Sequence, residues 1–399
     1  MKTILYVYHS SVIGGGSYCL LNLLNEVDRS LYKPIVLLRN HGPLVKEIEK
    51  LNIDVYFLPD MRVVPYNTST FSIWALRNAI SIIKSFKRFK QFVKEASPDL
   101  LYVNSMMLYP YLRVAKKIGM KTVIHIREHW PEGEHKWQRK IAINHIHKYA
   151  DEIVAINSYS ASMVSNASHH PVIVYDWIDL SKRDEPISLN NIFGEDVSKK
   201  KVFLYMGGLQ DIKGPKEVIS CFTSHIKDKD SRLLVMGVDP NEQMSQKTMS
   251  KLQIFMRPKQ ATPLSKQVTN LINKDSRIKC MPSTYMVCDL YKQAYCILSF
   301  FKIPHANLAL AESIISGTIN VAASTPESIE YSHNGNLAML YELGSKESFV
   351  AMLSTLSENH DRMKRRIAKD AHFVQEMFDK QRNVNILNLL YCKLLSNEK

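Results

Sequence analysis

Residues 3–27, TILYVYHSSVIGGGSYCLLNLLNEV, decide the fold. Ile4 to Tyr8 is a short unbroken apolar run rich in strand formers. After Gly14, Gly15 and Gly16 the apolar residues return at helical spacing, as Cys19, Leu20, Leu23, Leu24 and Val27. A strand with no polar alternation is buried on both faces, and a glycine turn that feeds it into an amphipathic helix is the first half of a βαβ unit. The glycines let backbone approach an anion closely, and a helix start presents its free N–H groups to one. A turn that merely needs positive φ angles explains the same glycines. The spacing is not GxGxxG, which disfavours a plain dinucleotide fold.

Outward from this stretch the alternation continues. YKPIVLLRN, DVYFLP, DLLYVNS, KTVIHIRE and DEIVAINS read as strands, with helical patterns near 71–95, 108–118 and 134–149 between them. Strands and helices of these lengths imply right-handed crossovers and a parallel sheet. Residues 179–200 are polar and read as a linker. The pattern then restarts with the strands VFLYMGGL, SRLLVMGV, IKCMPS, CILSFF and INVAAS. The expected architecture is α/β, with two Rossmann-like doubly wound domains facing across a cleft. Their boundaries are 1–178 and 201–375, and a C-terminal helical segment, 376–399, packs back on the first.

At 399 residues the chain is long for one core, which agrees with two domains. The six cysteines lack CxxC spacing, so neither a zinc site nor a disulfide framework is indicated and the compartment reads as reducing. The apolar run after Met1 is too short for a secretory segment, and no run reaches membrane-span length. These features point to a cytoplasmic protein. The formal net charge is +14, and from Met61 to Lys94 there are seven basic residues and no acid. That stretch could meet a polyanionic surface.

Loops at strand ends are the candidate sites, because ligands of open α/β sheets bind there. MGGLQDIKG, 206–214, follows a strand and opens a helix, and it adds Lys213 to the glycines, a pairing that suits a diphosphate. The same lysine equally suits a solvated surface. IHIREHW, 124–130, brings His125, Arg127 and Glu128 to another strand end beside VNS, 103–105. This is an acid, base and cation set fit for proton transfer, or else a loop in which Arg127 pairs with Glu128. Glu312, in IPHANLALAESIISG, is the only acid between Asp289 and Glu327 and sits among apolar neighbours. A carboxylate there must reach solvent or be hydrogen-bonded, since burying it unpaired is costly. One DxD occurs in the chain, Asp228-Lys229-Asp230, in a polar stretch that precedes the strand SRLLVMGV.

Together, the glycine loop after the first strand, LYMGGLQDIKG, MPSTYMVCDLYKQAYCILSF and ALAESIISGTINVAAS resemble the retaining family 4 glycosyltransferases of the GT-B fold. The resemblance implies that the second domain binds a nucleotide-sugar donor and the first a glycan acceptor. The sugar would pass to an acceptor hydroxyl with retention, without a metal and without any other cofactor. It implies donor contacts at Gly15, Gly16, Gly208, Lys213, the backbone of Asn307 and Leu308, and Glu312, whose family role is to hold ribose hydroxyls. It implies catalytic or acceptor-side roles around His125, Arg127 and Glu128. The family's arginine and first glutamate fall on Gly208 and Pro304 here.

Lipid-linked acceptors are common in that family, which bears on the basic segment. Ile82, Phe86, Phe89 and Val93 share one face of a helix whose remaining surface carries Lys84, Lys87, Arg88 and Lys90. This suits an interfacial helix on the inner face of an anionic membrane, and equally an ordinary amphipathic crossover helix. The expected function is thus transfer of a sugar to a lipid-linked glycan in surface polysaccharide assembly, with no nucleic-acid partner. A nucleotide-sugar epimerase on the same scaffold and a catalytically weak sugar-nucleotide or glycan-binding subunit are the alternatives.

Overall fold

The computed structural model of the chain describes residues 1–64, 73–130, 136–178, 187–238, 264–284 and 287–396. It divides into two compact units, one formed by Met1–Trp177 with Phe378–Lys399 and the other by Ile178–Met377. The α/β class and the two Rossmann-like sheets expected from the sequence are present in them.

The first unit holds the strands β1 (Lys2–Tyr8), β2 (Tyr32–Leu38), β3 (Asp54–Phe57), β4 (Leu100–Val103), β5 (Lys121–Ile126), β6 (Glu152–Ala155) and β7 (Val172–Ile173). All pair in parallel, in the order β3-β2-β1-β4-β5-β6-β7. Side chains alternate between two cores. Ile4, Tyr6 and Tyr8 point to one, and Leu5 and Val7 to the other. The terminal helix Lys380–Leu395 completes the first of these cores with Val384, Leu387, Leu390 and Tyr391, and the hydroxyls of Tyr6 and Tyr391 meet at 3.1 Å.

The second unit holds β8 (Lys201–Tyr205), β9 (Ser231–Met236), β10 (Ile278–Met281), β11 (Cys296–Ser299), β12 (Ile319–Ser324) and β13 (Met339–Glu342), also parallel, in the order β10-β9-β8-β11-β12-β13. The segment read as a linker is different in its second half. Residues 179–186 lie outside the described residues, but Leu189–Phe193 is a helix capped by the Ser188 hydroxyl, which accepts from Asn191 N–H at 3.4 Å. Leu189, Phe193 and Val197 enter the core with Leu204 and Leu234. Four-residue spacing of those apolar side chains, hidden among polar neighbours, is the reason.

The basic helix Ile73–Ala96 requires a correction as well. The apolar face offered to lipid is packed on the sheet: Phe89 is 0% exposed, Ile82 and Val93 are buried, and Phe86 leans on the same core. Ser85 lies among them, donating to Ile82 O at 2.6 Å and pairing with the Tyr111 hydroxyl at 2.8 Å. The outer face carries Lys84, Lys87, Lys90 and Lys94 around Ile80 and Ile83, which are 44% and 65% exposed. Arg88 pairs with Asp60. Among the described residues no helix is long and apolar enough to cross a membrane.

This orientation predicts that Phe89→Ala lowers unfolding free energy by about 3–5 kcal/mol. Ile83→Ala, one turn and a half away, should stay within about 0.5 kcal/mol. Urea titration of the two variants checks the face assignment, which fails if Ile83→Ala is the costlier change.

Candidate functional site

Strand order reverses between β1 and β4 in the first sheet and between β8 and β11 in the second. Neighbouring crossovers leave such a point in opposite directions, opening a crevice at the carboxyl ends of the strands. The loops singled out in the sequence, around Gly14, Gly15 and Gly16 and at 206–214, follow β1 and β8. The loop before Glu312 follows β11.

In each unit a tyrosine ends the strand and fills the space beneath its glycine loop. A Cβ on Gly16 would lie 2.6 Å from the Tyr8 hydroxyl, and one on Gly207 would lie 2.1 Å from that of Tyr205. Gly14, which precedes the helix Gly15–Asn25, has an extended φ of −173°. The first-loop glycines therefore are not there for positive φ. Nothing crowds Gly14 or Gly15, so the helix start is open to close approach. In the second loop Gly208 does have φ +59°, a left-handed backbone that suits glycine at the position of the resembled family's arginine.

The second unit holds Gly208, Lys213, Asn307, Leu308 and Glu312, which the resemblance assigns to a donor, while Gly15 and Gly16 lie in the first. The Tyr205 hydroxyl hydrogen-bonds Lys213 O at 3.0 Å and Gly208 O at 3.3 Å, holding the loop closed on itself. Across the switch point, Lys302 binds Asp211 at 2.9 Å and Glu217 at 3.0 Å, and its N–H donates to Ile212 O at 2.8 Å. These contacts are partly exposed, so they position more than they stabilise. They also commit both nearby acids. Lys213 is left half-buried, its ammonium with no hydrogen-bond or ion-pair partner among the described residues, and burial pushes its pKa down.

Glu312 lies in the second turn of the helix Leu308–Ile315. One carboxylate oxygen accepts from the Tyr291 hydroxyl at 2.8 Å, and no partner among the described residues takes the other. Burial raises its pKa, and the Tyr291 bond partly opposes that. At the start of the same helix no side chain caps the backbone. Asn307 there is buried, with no partner for Nδ2 among the described residues. Sequence reasoning missed Tyr291, because nothing local ties a residue at 291 to one at 312.

The first unit does not assemble His125, Arg127 and Glu128 as an acid, base and cation set. His125, in β5, and Arg127, just after its end, lie 3.5 Å apart between Nδ1 and Nη2. His125 is buried at 2.8 Å from the Tyr102 hydroxyl, and burial with Arg127 holds its pKa well below normal. Its Nε2 has no partner among the described residues, and the residue lines a small cavity with Cys19, Asn22 and Trp177. Arg127 donates to both oxygens of Asp176 at 2.8 Å and to Asn104 Oδ1 at 2.7 Å. Burial opposes its charge, but Asp176 more than offsets this and raises its pKa.

Glu128 turns the other way. It accepts from the Ser105 hydroxyl, from Met106 N–H at 2.8 Å and from Arg127 N–H at 3.1 Å, so it fastens the turn after β4. Arg127 thus pairs with Asp176 rather than with the Glu128 carboxylate. Asp176 lies 49 residues from Arg127, beyond the reach of local pattern.

Solved structures share this fold. HepE of Anabaena, in complex with UDP and glucose, matches with a TM-score of 0.72 at 17% identity, over 99% of this chain and 100% of that one. A glycosyltransferase of Rickettsia africae gives 0.69 at 15%, over 100% and 99%. Sucrose-phosphate synthase of Thermosynechococcus elongatus gives 0.71 at 12%, over 100% of each chain. No family model and no curated protein matches the sequence.

The raised pKa of Glu312 makes a signed prediction. Its ionisation is disfavoured in the folded state, so the protonated form favours folding and that advantage is lost as pH rises above the ordinary glutamate value. Glu312→Gln keeps an acceptor for Tyr291 and removes the charge. It should melt higher than wild type at neutral pH, and the difference should vanish as pH falls to about 4. A constant difference across pH contradicts the burial assignment.

Proposed function

We propose that this chain is a glycosyltransferase that moves a sugar from a nucleotide-diphosphate sugar to a hydroxyl of a glycan acceptor. One observation carries the reading. At the second switch point, Lys213 and the free oxygen of Glu312 are half-buried and unmatched within the protein, a cation and an acceptor with no partners of their own among the described residues. A diphosphate would satisfy the first, together with the uncapped start of Leu308–Ile315, and ribose hydroxyls the second. The fold is the one HepE presents in complexes with UDP and with UDP-glucose.

In this reading charge growing on the leaving diphosphate is met by Lys213 and backbone N–H groups already oriented toward it, without a metal ion. Transfer proceeds with retention, as the sequence resemblance implies, and the first unit takes the acceptor. Because Arg127 and Glu128 are occupied by Asp176 and the turn after β4, their part is to hold the acceptor-side loops in place.

We place the acceptor on a lipid and the first unit on an anionic membrane surface in surface polysaccharide assembly. The support is the outer face of the basic helix, where Ile80 and Ile83 stand exposed amid Lys84, Lys87, Lys90 and Lys94. Shallow apolar insertion flanked by cations is how interfacial helices bind, each cation contributing about 1 kcal/mol.

A thermal-shift panel of UDP, GDP, ADP, CMP and their sugars tests the donor site. The matching nucleotide at about 100 times its Kd should stabilise the wild type by about 2.7 kcal/mol. Lys213→Ala and Glu312→Ala should respond much less, the first most clearly to diphosphates. If no nucleotide stabilises the wild type, or both variants respond like it, the donor site is elsewhere. For the membrane, reversing Lys84, Lys87 and Lys90 to Glu should weaken binding to phosphatidylserine vesicles by at least about a hundredfold. Unchanged sedimentation with vesicles would remove the lipid surface from the proposal.

A further inference from the structure

The first unit carries its own row of unmatched groups. Leu38 of β2 lies beside Tyr8 of β1 in the ladder, so the residues that follow, Arg39 and His9, leave adjacent strands together. On the other side of β1, Asn104 follows β4, its N–H donating to Val7 O at 3.0 Å. Each has an inner nitrogen that is buried and without a hydrogen-bond partner among the described residues: Arg39 Nε, His9 Nδ1 and Asn104 Nδ2. Asn104 is 0% exposed, so its amide has no recourse to bulk water. β1 and β4 flank the switch point, where a ligand is expected to sit.

Arg39 differs from four other arginines withdrawn from solvent, each of which has acceptors within the protein. Arg62 donates to Pro59 O and Met61 O, Arg127 to Asp176, Arg232 to Glu195 and Arg277 to Asp275. Arg39 is half-buried and has no acceptor among the described residues. A guanidinium cannot shed its charge, so leaving it partly out of water without an anion costs free energy. Burial and the neighbouring Arg39 charge lower the pKa of His9 to about 4, which leaves a neutral ring with one N–H to donate. The row is thus cationic at one end and offers neutral donors at the other.

We propose that Arg39, His9 and Asn104 bind an anionic group, a carboxylate or a phosphate, carried by the acceptor. The inference rests on the reading of the chain as a glycosyltransferase whose first unit takes the acceptor. It adds that the acceptor is an acidic glycan or a phosphate-bearing one. The donor diphosphate has separate provision in the second unit, at Lys213 and the start of Leu308–Ile315. An anion against Arg39 would orient the acceptor by a forked, charge-assisted contact and would distinguish charged from neutral sugars by about tenfold or more.

The test uses the full chain saturated with UDP, titrated by NMR with methyl β-glucuronide, with glucose 6-phosphate and with neutral methyl β-glucoside. At least one charged sugar should bind about tenfold or more tighter than the neutral one. Which of them does so separates a carboxylate from a phosphate. Arg39→Gln should erase the preference and leave UDP affinity within about twofold, while Arg39→Lys should retain part of it. Equal binding of charged and neutral sugars overturns the proposal, and so does a preference that survives Arg39→Gln. Loss of UDP affinity in Arg39→Gln also overturns it, by moving Arg39 to the donor diphosphate. If Arg39→Gln does not fold, His9→Gln is held to the same outcomes with a partial loss expected. Titrations repeated without UDP separate the two readings: a charge preference in a protein that binds no nucleotide removes the donor site alone.

Discussion

A tyrosine hydroxyl set where a Cβ would go is the constraint on which both sites depend. Tyr8 ends β1 and Tyr205 ends β8, both buried, and their hydroxyls occupy the space that a Cβ on Gly16 and on Gly207 would need. Burial raises both phenols, Tyr8 to about 12, so at neutral pH they remain hydrogen-bond donors. In the second unit that donor closes the loop onto its own carbonyls. In both units the helix start that follows lies at the switch point of a parallel sheet.

Charge at these edges falls into two classes, matched and unmatched within the protein. Arg127 with Asp176, Glu128 with the turn after β4, and Lys302 with Asp211 and Glu217 are matched within the protein. Lys213, one oxygen of Glu312 and Arg39 are not matched among the described residues. Matched pairs position loops and carry little net stability where they are exposed. An unmatched charge withdrawn from water is maintained against a free-energy cost, and satisfying it is the most direct way for a ligand to bind there.

Much of this was legible in order along the chain. Apolar runs separated by helical patterns gave the strands and the parallel sheets, and the punctuation GGGSY and GGLQDIKG located the two loops. Glu312 was conspicuous as a lone acid, and its partner Tyr291 answers why it can be there. The misreadings share one origin. The lysine-rich helix showed its amphipathic pattern, but the pattern could not say whether its phenylalanine face met lipid or the sheet; Phe89 against Tyr111, with ring centroids 5.1 Å apart, settles that. The polar run before residue 201 hid Leu189, Phe193 and Val197, which only the second core reveals as apolar anchors.

The sequence by itself determined what is periodic or local: the alternation of strands and helices, the glycine loops, the cluster of lysines and the spacing that placed Glu312 on a helix. Strand and helix periods are imposed by backbone geometry, so they are written in neighbouring residues. The tertiary structure alone decided which charges are spent. Arg127 finds Asp176 across 49 residues, and Tyr291 reaches Glu312 across 21. Arg39 meets no acid among the described residues, although the chain has 38 of them. Pairing of charges depends on distance in space and on exclusion of water, and neither is a property of position along the chain.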